Sequence, residues 1–364
     1  MSTLKVNAVI DASGGNTATI NSMTPTADSL QGFRNRIING AMMIAQRGTS
    51  AVTSSGSYPV DRFSITNTTD GAFSAQQDAT APTGFVNSLK YTVTTADSSL
   101  ASTQVAFVRH KIEGTNVSDL AWGSASAKTV TLSFQVRSSV TGTFGGALRN
   151  SADDRSYPFT YSISSANTWE TKSVTIAGDT SGTWLTTTGI GIQIIFSLGS
   201  GSSRVGTAGV WAAAEYTGAT GETNLMATLN ATWYITGAQL EVGSVATPFE
   251  RRDYGRELIM CQRYFVSLSK PRLRGVNNGT NCQRMGISLP VTMRASPTVS
   301  FSGTIYFYNG SNTGTGTVVS ATYSTADSFE LDINKATGAS ILGTPELAYV
   351  DASNTSVVTG SSEL

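Results

Sequence analysis

The strongest constraint on the fold is a two-residue hydrophobic period that recurs along most of the chain. Val130, Leu132, Phe134 and Val136 alternate with polar residues, and the same pattern returns over 190–198. Successive side chains of a strand point to opposite faces, so this period predicts strands with one buried face and one solvated face. No segment of residues 33–250 shows a sustained helical period. We therefore expect an all-β protein.

Turn-forming residues separate the predicted strands and divide the chain into regions. Short strands with regular turns over residues 33–250 are typical of an antiparallel β-sandwich of the jelly-roll type. Residues 271–364 return to alternation and predict a smaller C-terminal antiparallel β-domain. Residues 1–32 predict a hairpin-like N-terminal attachment segment. Since an isolated hairpin is marginal in water, this segment is expected to rest on a partner chain or a neighbouring domain.

A different spacing appears between the two β regions. Tyr254, Leu258, Cys261, Phe265 and Leu268 follow one another at intervals of 4, 3, 4 and 3 residues. This spacing predicts an amphipathic linking α-helix over 251–270, and it also fits a coiled-coil seam. So short a helix is not stable alone, so its apolar face must pack on a domain or on symmetry mates. The five residues are our candidates for an oligomer seam.

Charge and composition exclude several classes of function. The 364 residues include 24 basic and 24 acidic side chains, which leaves no surplus of Lys and Arg for binding nucleic acid. A hydrophobic content of 39% argues against disorder. The single histidine, His110, excludes His-based metal clusters and alternates with buried-type residues, so it is interpreted as structural. We expect no metal, no cofactor and no catalytic residue.

The compartment signals point in two directions. The first residues lack the charged and apolar regions of a signal peptide, and no apolar run approaches the about 20 residues of a membrane span. The abundance of Ser, Thr and Gly is nevertheless typical of an extracellular β-protein. A virion protein, made in the host cytoplasm and released by lysis, reconciles the two observations. A truncated chain would show the same combination of an extracellular composition and no signal peptide.

Several strings resemble bacteriophage tail-fibre and virion structural proteins common in marine and cyanobacterial phages. The most specific are Trp233-Tyr-Ile-Thr-Gly-Ala-Gln-Leu-Glu-Val-Gly at 233–243 and Cys261-Gln-Arg-Tyr-Phe265. The resemblance implies a central domain similar to carbohydrate-binding jelly rolls, and it implies a homotrimer. No catalytic or ligand residue is transferred by it. The first of these strings continues to Glu250, and the remaining matching segments are 4–15, 35–48, 58–63, 134–138, 178–184 and 290–297.

The leading hypothesis is a non-enzymatic tail fibre or fibre-associated subunit located in the virion. In it, residues 1–32 attach to a phage tail or adaptor protein, and the chain contributes to recognition of a host surface glycan. One alternative is a capsid decoration protein or another structural virion subunit. A second is a host-polysaccharide depolymerase, which needs two carboxyl groups roughly 5–10 Å apart. The modest number of acidic residues disfavours the depolymerase.

The candidate glycan contacts are aromatic residues in or beside predicted loops, because the C–H face of a sugar stacks on an aromatic ring. They are Trp169, Trp184, Trp211 and Tyr216. Trp233 lies in an alternating strand and is expected in the core. Asp153 and Asp154 are interpreted as a solvated turn. The basic residues between 251 and 274 could meet an anionic surface, but a structural role is favoured.

Overall fold

The computed structural model describes residues 33–269, 272–277, 282–302, 305–308, 313–322, 324–335, 345–349 and 357–364. The attachment segment predicted for residues 1–32 lies outside this part of the chain. The regular secondary structure of the described part consists almost entirely of antiparallel strands, which confirms the all-β prediction. No helix in it is long and apolar enough to cross a membrane.

Residues 63–242 form a sandwich of two five-stranded antiparallel sheets. The strand order is β1-β4-β9-β6-β7 in one sheet, here called the front sheet, and β2-β3-β12-β5-β8 in the other, the back sheet. The chain crosses repeatedly between the sheets, as in a jelly roll. The ten strands of the two sheets are β1 (Phe63–Asn67), β2 (Ala72–Asp78), β3 (Ser88–Thr95), β4 (Val105–Glu113), β5 (Val130–Ser138), β6 (Gly142–Arg149), β7 (Ser156–Ile163), β8 (Glu170–Ile176), β9 (Ile190–Ser200) and β12 (Thr232–Val242). Two short strands, β10 (Val205–Gly206) and β11 (Gly218–Ala219), pair with each other in parallel outside these sheets.

The sandwich core is formed by the inward positions of these alternating strands. Trp233 is fully buried, and its ring lies 5.9 Å from that of Phe196, which in turn lies 5.1 Å from Phe134. Burying one such large side chain contributes about 1.5–3 kcal/mol. The prediction that Trp233 belongs to the core is therefore confirmed. His110 is also fully buried, with its Nε2 atom 3.1 Å from the carbonyl oxygen of Ile38.

The linking helix is shorter than the apolar spacing predicts. Helix α1 runs from Tyr254 to Gln262 and is capped by the Asp253 side chain, which accepts a hydrogen bond of 2.9 Å from the Arg256 amide. The prediction of a helix over 251–270 is therefore wrong beyond Gln262, where α1 ends. Residues 265–269 form a strand whose backbone pairs with residues 357–361. Three short 3₁₀ turns complete the helical elements at Gly114–Asn116, Ser118–Leu120 and Leu225–Ala227.

The predicted oligomer seam is divided between this helix and the strand that follows it. Phe265 and Leu268 are three residues apart, a spacing that shares one face in a helix but opposite faces in a strand. Cys261 is buried by the chain itself and Phe265 is only 6% exposed, so neither side chain faces a partner. Leu258 packs within the chain on the cluster that holds Cys261, whereas Tyr254 is exposed. The trimer itself stays a prediction.

The C-terminal strands form two antiparallel sheets. Three strands pair in the order β13-β21-β16, and six others close on themselves in the order β14-β15-β19-β18-β17-β20. Since β13 pairs within this region, the C-terminal β-structure begins at residue 265 rather than 271. The strands are β13 (Phe265–Ser269), β14 (Arg272–Asn277), β15 (Cys282–Ser288), β16 (Thr298–Ser302), β17 (Ile305–Tyr308), β18 (Thr313–Thr322), β19 (Ser328–Lys335), β20 (Pro345–Tyr349) and β21 (Val357–Ser361).

Charged side chains join this region to the sandwich, and we call them the charged junction. Arg263 donates two hydrogen bonds, of 2.7 and 3.0 Å, to the carboxylate of Glu113, and the Tyr264 hydroxyl donates a third, of 2.7 Å. Burial raises the pKa of Glu113, but the bonds from Arg263 and Tyr264 outweigh it and leave the pKa below its ordinary value. The members of the junction are Arg47, Arg62, Lys111, Glu113, Arg263, Tyr264 and Glu363.

Candidate functional site

A groove opens on the outer face of the front sheet. Strand β4 supplies part of its wall because Val105, Phe107 and Arg109 alternate with the inward-facing Ala106 and Val108. Its open space measures about 670 Å³, including the solvent-filled mouth. Strand β6 and the loops between residues 200 and 217 complete it. The lining residues are Thr66, Thr68, Thr103, Val105, Phe107, Arg109, Arg149, Asp153, Arg204, Glu215 and Thr217.

The groove combines an apolar floor with hydroxyl groups. Phe107 packs beside Val105 and Ile195 in a small cluster outside the main core. The guanidinium of Arg109 lies 5.6 Å from the centroid of the Phe107 ring. Four threonines line the remaining surface. A small apolar platform surrounded by polar groups is the usual composition of a small-molecule site.

Two of the groove's arginines share a carboxylate. Arg149 is 2% exposed, and its Nη2 atom lies 2.5 Å from Oδ1 of Asp153. Its Nη1 atom lies 3.3 Å from Oε1 of Glu215, whose other oxygen pairs with Arg204. Asp153 has a left-handed φ of 60° and also accepts a bond of 2.5 Å from the Gln193 amide. These contacts hold Arg149 in one position against the sheet.

Arg109 lacks a comparable acidic partner. Its Nη1 atom donates a bond of 3.2 Å to the side-chain oxygen of Gln193, and no carboxylate in the described part of the chain lies within ion-pairing distance of it. Burial and the neighbouring charge of Arg149 lower the pKa of Arg109 from its ordinary value. An anion in the groove would relieve both effects.

Two of the three tryptophan candidates, Trp184 and Trp211, are brought together away from this groove. Trp184 and Trp211 pack edge to face around the more buried Trp122, with ring centroids 4.7 to 5.4 Å apart. The indole nitrogens of Trp184 and Trp211 donate to the carbonyl oxygens of Ser181 and Ala177 at 3.1 and 2.8 Å. A cleft of about 260 Å³ runs beside Trp122 and Trp184. Trp184 and Trp211 are thus half-buried and pack against each other.

The other two candidates lie in separate places. Trp169 is half-buried on the outer face of the back sheet, with its ring 6.1 Å from that of Tyr234. Tyr216 lies against Gly206, where an added Cβ would be 2.3 Å from a Tyr216 ring carbon. Tyr216 follows the groove residue Glu215 in sequence. A glycan role for all four candidates stays a prediction.

Sequence reasoning missed the arginines of the groove. Arg109 and Arg149 lie at strand positions far apart in the chain, and Arg204 lies in a loop. The available signal was the placement of Arg109 on the outward side of a strand in a chain with only 13% charged residues. Within the described residues, no group of three or more His, Cys, Asp and Glu side chains is arranged to hold a metal ion.

Comparisons with known proteins give structural likeness only. No family model and no curated protein matches the chain. The enzymatically active domain of bacteriophage CBA120 tailspike protein 4 is similar at 11% identity over 57% of this chain and 21% of that one, with a TM-score of 0.32. A putative sugar binding protein from Bacteroides thetaiotaomicron matches at 12% identity over 57% of this chain and 100% of that one, with a TM-score of 0.33.

A third similar structure is the family 11 carbohydrate-binding module of a cellulosomal cellulase from Clostridium thermocellum. It has 10% identity over 56% of this chain and 99% of that one, with a TM-score of 0.28. This chain spans about a fifth of the tailspike domain's length and nearly all of the other two chains. None of these likenesses assigns the chain to a family.

Proposed function

We propose that the chain is a non-enzymatic glycan-binding protein of a phage virion, a tail fibre or fibre-associated subunit. The observation that carries glycan binding is the groove on the front sheet. A sugar presents an apolar C–H face and a ring of hydroxyl groups. The groove offers the small exposed part of Phe107, 4% of its surface, in the floor, threonine hydroxyls along its wall and guanidinium donors at one end. These groups match both parts of a sugar.

The rigidity of the groove supports a binding role. Phe107 and Arg109 belong to a central strand of the front sheet, and Arg149 is held by Asp153 and Glu215. Groups fixed before binding lose little conformational entropy when a ligand arrives, which raises affinity. Weak contacts of this kind also gain avidity when several copies act together, as in the trimer that we expect.

The virion placement rests on the sequence resemblance described above. In this proposal residues 1–32 attach the chain to the tail or to an adaptor protein, and the sandwich faces the host surface. A capsid decoration protein would share the sandwich and the groove but would need no host contact. Light scattering on the purified chain tests the assembly. Three times 38.1 kDa supports the fibre, and a monomer favours a decoration or adaptor subunit.

The absence of catalysis is also a proposal. A depolymerase requires one carboxyl group as acid and a second as base or nucleophile. The two carboxylates of the groove, Asp153 and Glu215, are each ion-paired with arginine. Both carboxylates are thus engaged by Arg149 and Arg204, and neither stands free as one member of an acid and base pair. Release of reducing ends from host polysaccharide by the purified chain would contradict this part of the proposal.

The test of glycan binding is a substitution that fills the groove without removing a charge. Thr103 is exposed at its edge, and Thr103→Trp places a large ring there. The matched control is Thr171→Trp, at an exposed position on the back sheet. On a panel of immobilised glycans and host-envelope polysaccharides, we expect the wild type and the control to bind and Thr103→Trp to lose binding. A wild type that binds no glycan contradicts the proposal.

A further inference from the structure

The groove has an imbalance of charge at the end where Arg109 and Arg149 lie. Three arginines line it with two carboxylates, Asp153 and Glu215. Both carboxylates are in contact with Arg149, and Glu215 is also in contact with Arg204. The imbalance is therefore concentrated on Arg109.

Arg109 and Arg149 are positioned on either side of one residue. Arg149 of β6 is paired in register with Gln193 of β9, and Arg109 of β4 is paired with Ile195, two residues further along β9. The Gln193 side chain accepts from Arg109 at 3.2 Å and donates to the Asn150 carbonyl at 2.9 Å. Gln193 thus spaces two like charges across the sheet without neutralising either of them.

Both arginines have donors that are not used. In the described part of the chain, the Nε atoms of Arg109 and Arg149 are buried and have no hydrogen-bond partner. Arg149 as a whole is 2% exposed. A buried donor without an acceptor costs about 1–3 kcal/mol, and more on a charged group. Because both Nε atoms are covered, an acceptor in the groove would meet the terminal Nη atoms of these side chains instead.

Glu215 shows what kind of group fits among these arginines. Its carboxylate bridges Arg149 and Arg204, yet its side chain is 44% exposed on a loop. Only the glutamate half of these pairs is exposed, so water can hydrate the Glu215 carboxylate when another acceptor takes its place. A carboxylate from a ligand can therefore displace it at small cost.

We propose that the groove selects acidic glycans, namely sugars that carry a carboxylate, and that Arg109 and Arg149 bind this carboxylate. The inference rests on the proposed function, since it assumes that the groove binds a glycan. Guanidinium groups suit a carboxylate because their planar donors match its two oxygens. The low exposure of Arg149 and the burial around Arg109 strengthen that attraction.

The experiment compares a galacturonate oligosaccharide with its fully methyl-esterified form, which has the same backbone and no charge. Calorimetric titration of the full chain should give clearly tighter binding of the acid. Arg109→Gln should weaken binding of the acid about tenfold and leave the ester unaffected, since a hydrogen bond to a charged group is lost. Arg137→Gln, on the back sheet beside Tyr234, is the control and should change neither affinity.

The outcomes separate this inference from the function on which it rests. Equal affinity for acid and ester, or binding of neutral glycans alone, overturns the selectivity and leaves glycan binding intact. An equal loss in Arg109→Gln and Arg137→Gln shows non-specific charge attraction and also overturns it. If no glycan of the panel or of this pair binds, both proposals fail. Thermal unfolding of each variant establishes that it is folded.

Discussion

The groove and the charged junction use the same residue types on the same strand with opposite results. Phe107 and Arg109 of β4 face the groove, whereas Lys111 and Glu113 face the junction. The junction's Glu113 carboxylate is fully buried beneath residues of the C-terminal region. The groove carboxylates are 37% and 44% exposed. In the junction, where the carboxylate is buried, the ion pair joins two regions of the chain. In the groove, where the carboxylates are exposed, a ligand can replace them as partners of the arginines.

The largest effect should come from the covered side of this comparison. Glu113→Ala leaves the Tyr264 hydroxyl and the Arg263 guanidinium without their shared acceptor. Breaking a buried pair costs about 3–5 kcal/mol, and we expect the lower end because the Arg263 side chain is 34% exposed. Urea denaturation measures the loss. Lys172→Ala breaks a partly exposed pair with Glu170, whose carboxylate is 16% exposed rather than fully buried, and should cost about 1 kcal/mol. Similar losses of stability in both variants would contradict the distinction between the buried pair of the junction and a pair at the surface.

The open side should respond in binding rather than in stability. Arg149→Met keeps the side-chain volume but removes the charge, and the two carboxylates it leaves can reach water. We expect the affinity for an acidic oligosaccharide to fall about tenfold, with a stability change below about 1.5 kcal/mol. Lys111→Met removes a charge on the same face but within the junction, and it should preserve that affinity. A large loss of stability in Arg149→Met would show that the arginines of the groove stabilise the fold, as those of the charged junction do.

A pH titration sharpens the comparison at Lys111. Burial and the charges of Arg109 and Arg62 lower the pKa of Lys111 from 10.5 to about 8. Between pH 8 and 9.5 the folded chain loses this proton while the unfolded chain keeps it, so the Lys111 contribution to stability rises with pH. The unfolding free energy of the wild type minus that of Lys111→Met should therefore increase across this range. A flat difference would show that the pKa of Lys111 is not lowered in the folded chain.

The smallest effect is expected for Glu215→Gln. This variant removes the internal carboxylate that occupies the groove's arginines, so an acidic ligand meets less competition and should bind about threefold tighter. Titration with the same galacturonate oligosaccharide measures the change. Weaker binding would mean that Glu215 contacts the ligand directly.

The sandwich was predictable because hydrophobic and polar residues alternate along its strands, although the solvated face predicted for residues 190–198 is not found, since residues 191–199 of β9 are buried on both faces. Alternation in β5 and β9 shows directly which side chains are inward. The prediction of a helix over 251–270 was wrong beyond Gln262 because the apolar spacing continues to Phe265 and Leu268, which lie in strand β13. Pairing of β13 with β21, about ninety residues later, decides that segment, and no local pattern records it.

The candidate site was less predictable than the fold. Aromatic residues in loops are a reasonable signal for glycan contact, yet Trp184 and Trp211 pack on Trp122 and their indole nitrogens are satisfied by carbonyl oxygens. The groove depends on Arg109 and Arg149 meeting across β9, which is a property of strand order. Strand order in a jelly roll joins distant segments, so single-sequence patterns do not contain it.

The buried Cys261 makes it possible to measure how often α1 separates from the residues on which it packs. Its thiol is fully buried with Ile38, Ile44 and Tyr264, and burial raises its pKa well above the ordinary value. Only the thiolate reacts with an alkylating reagent, so Cys261 is labelled when α1 lifts away from residues 38–44. The labelling rate, read on the Cys261 peptide by mass spectrometry, is thus a chemical clock for local opening in the otherwise folded chain.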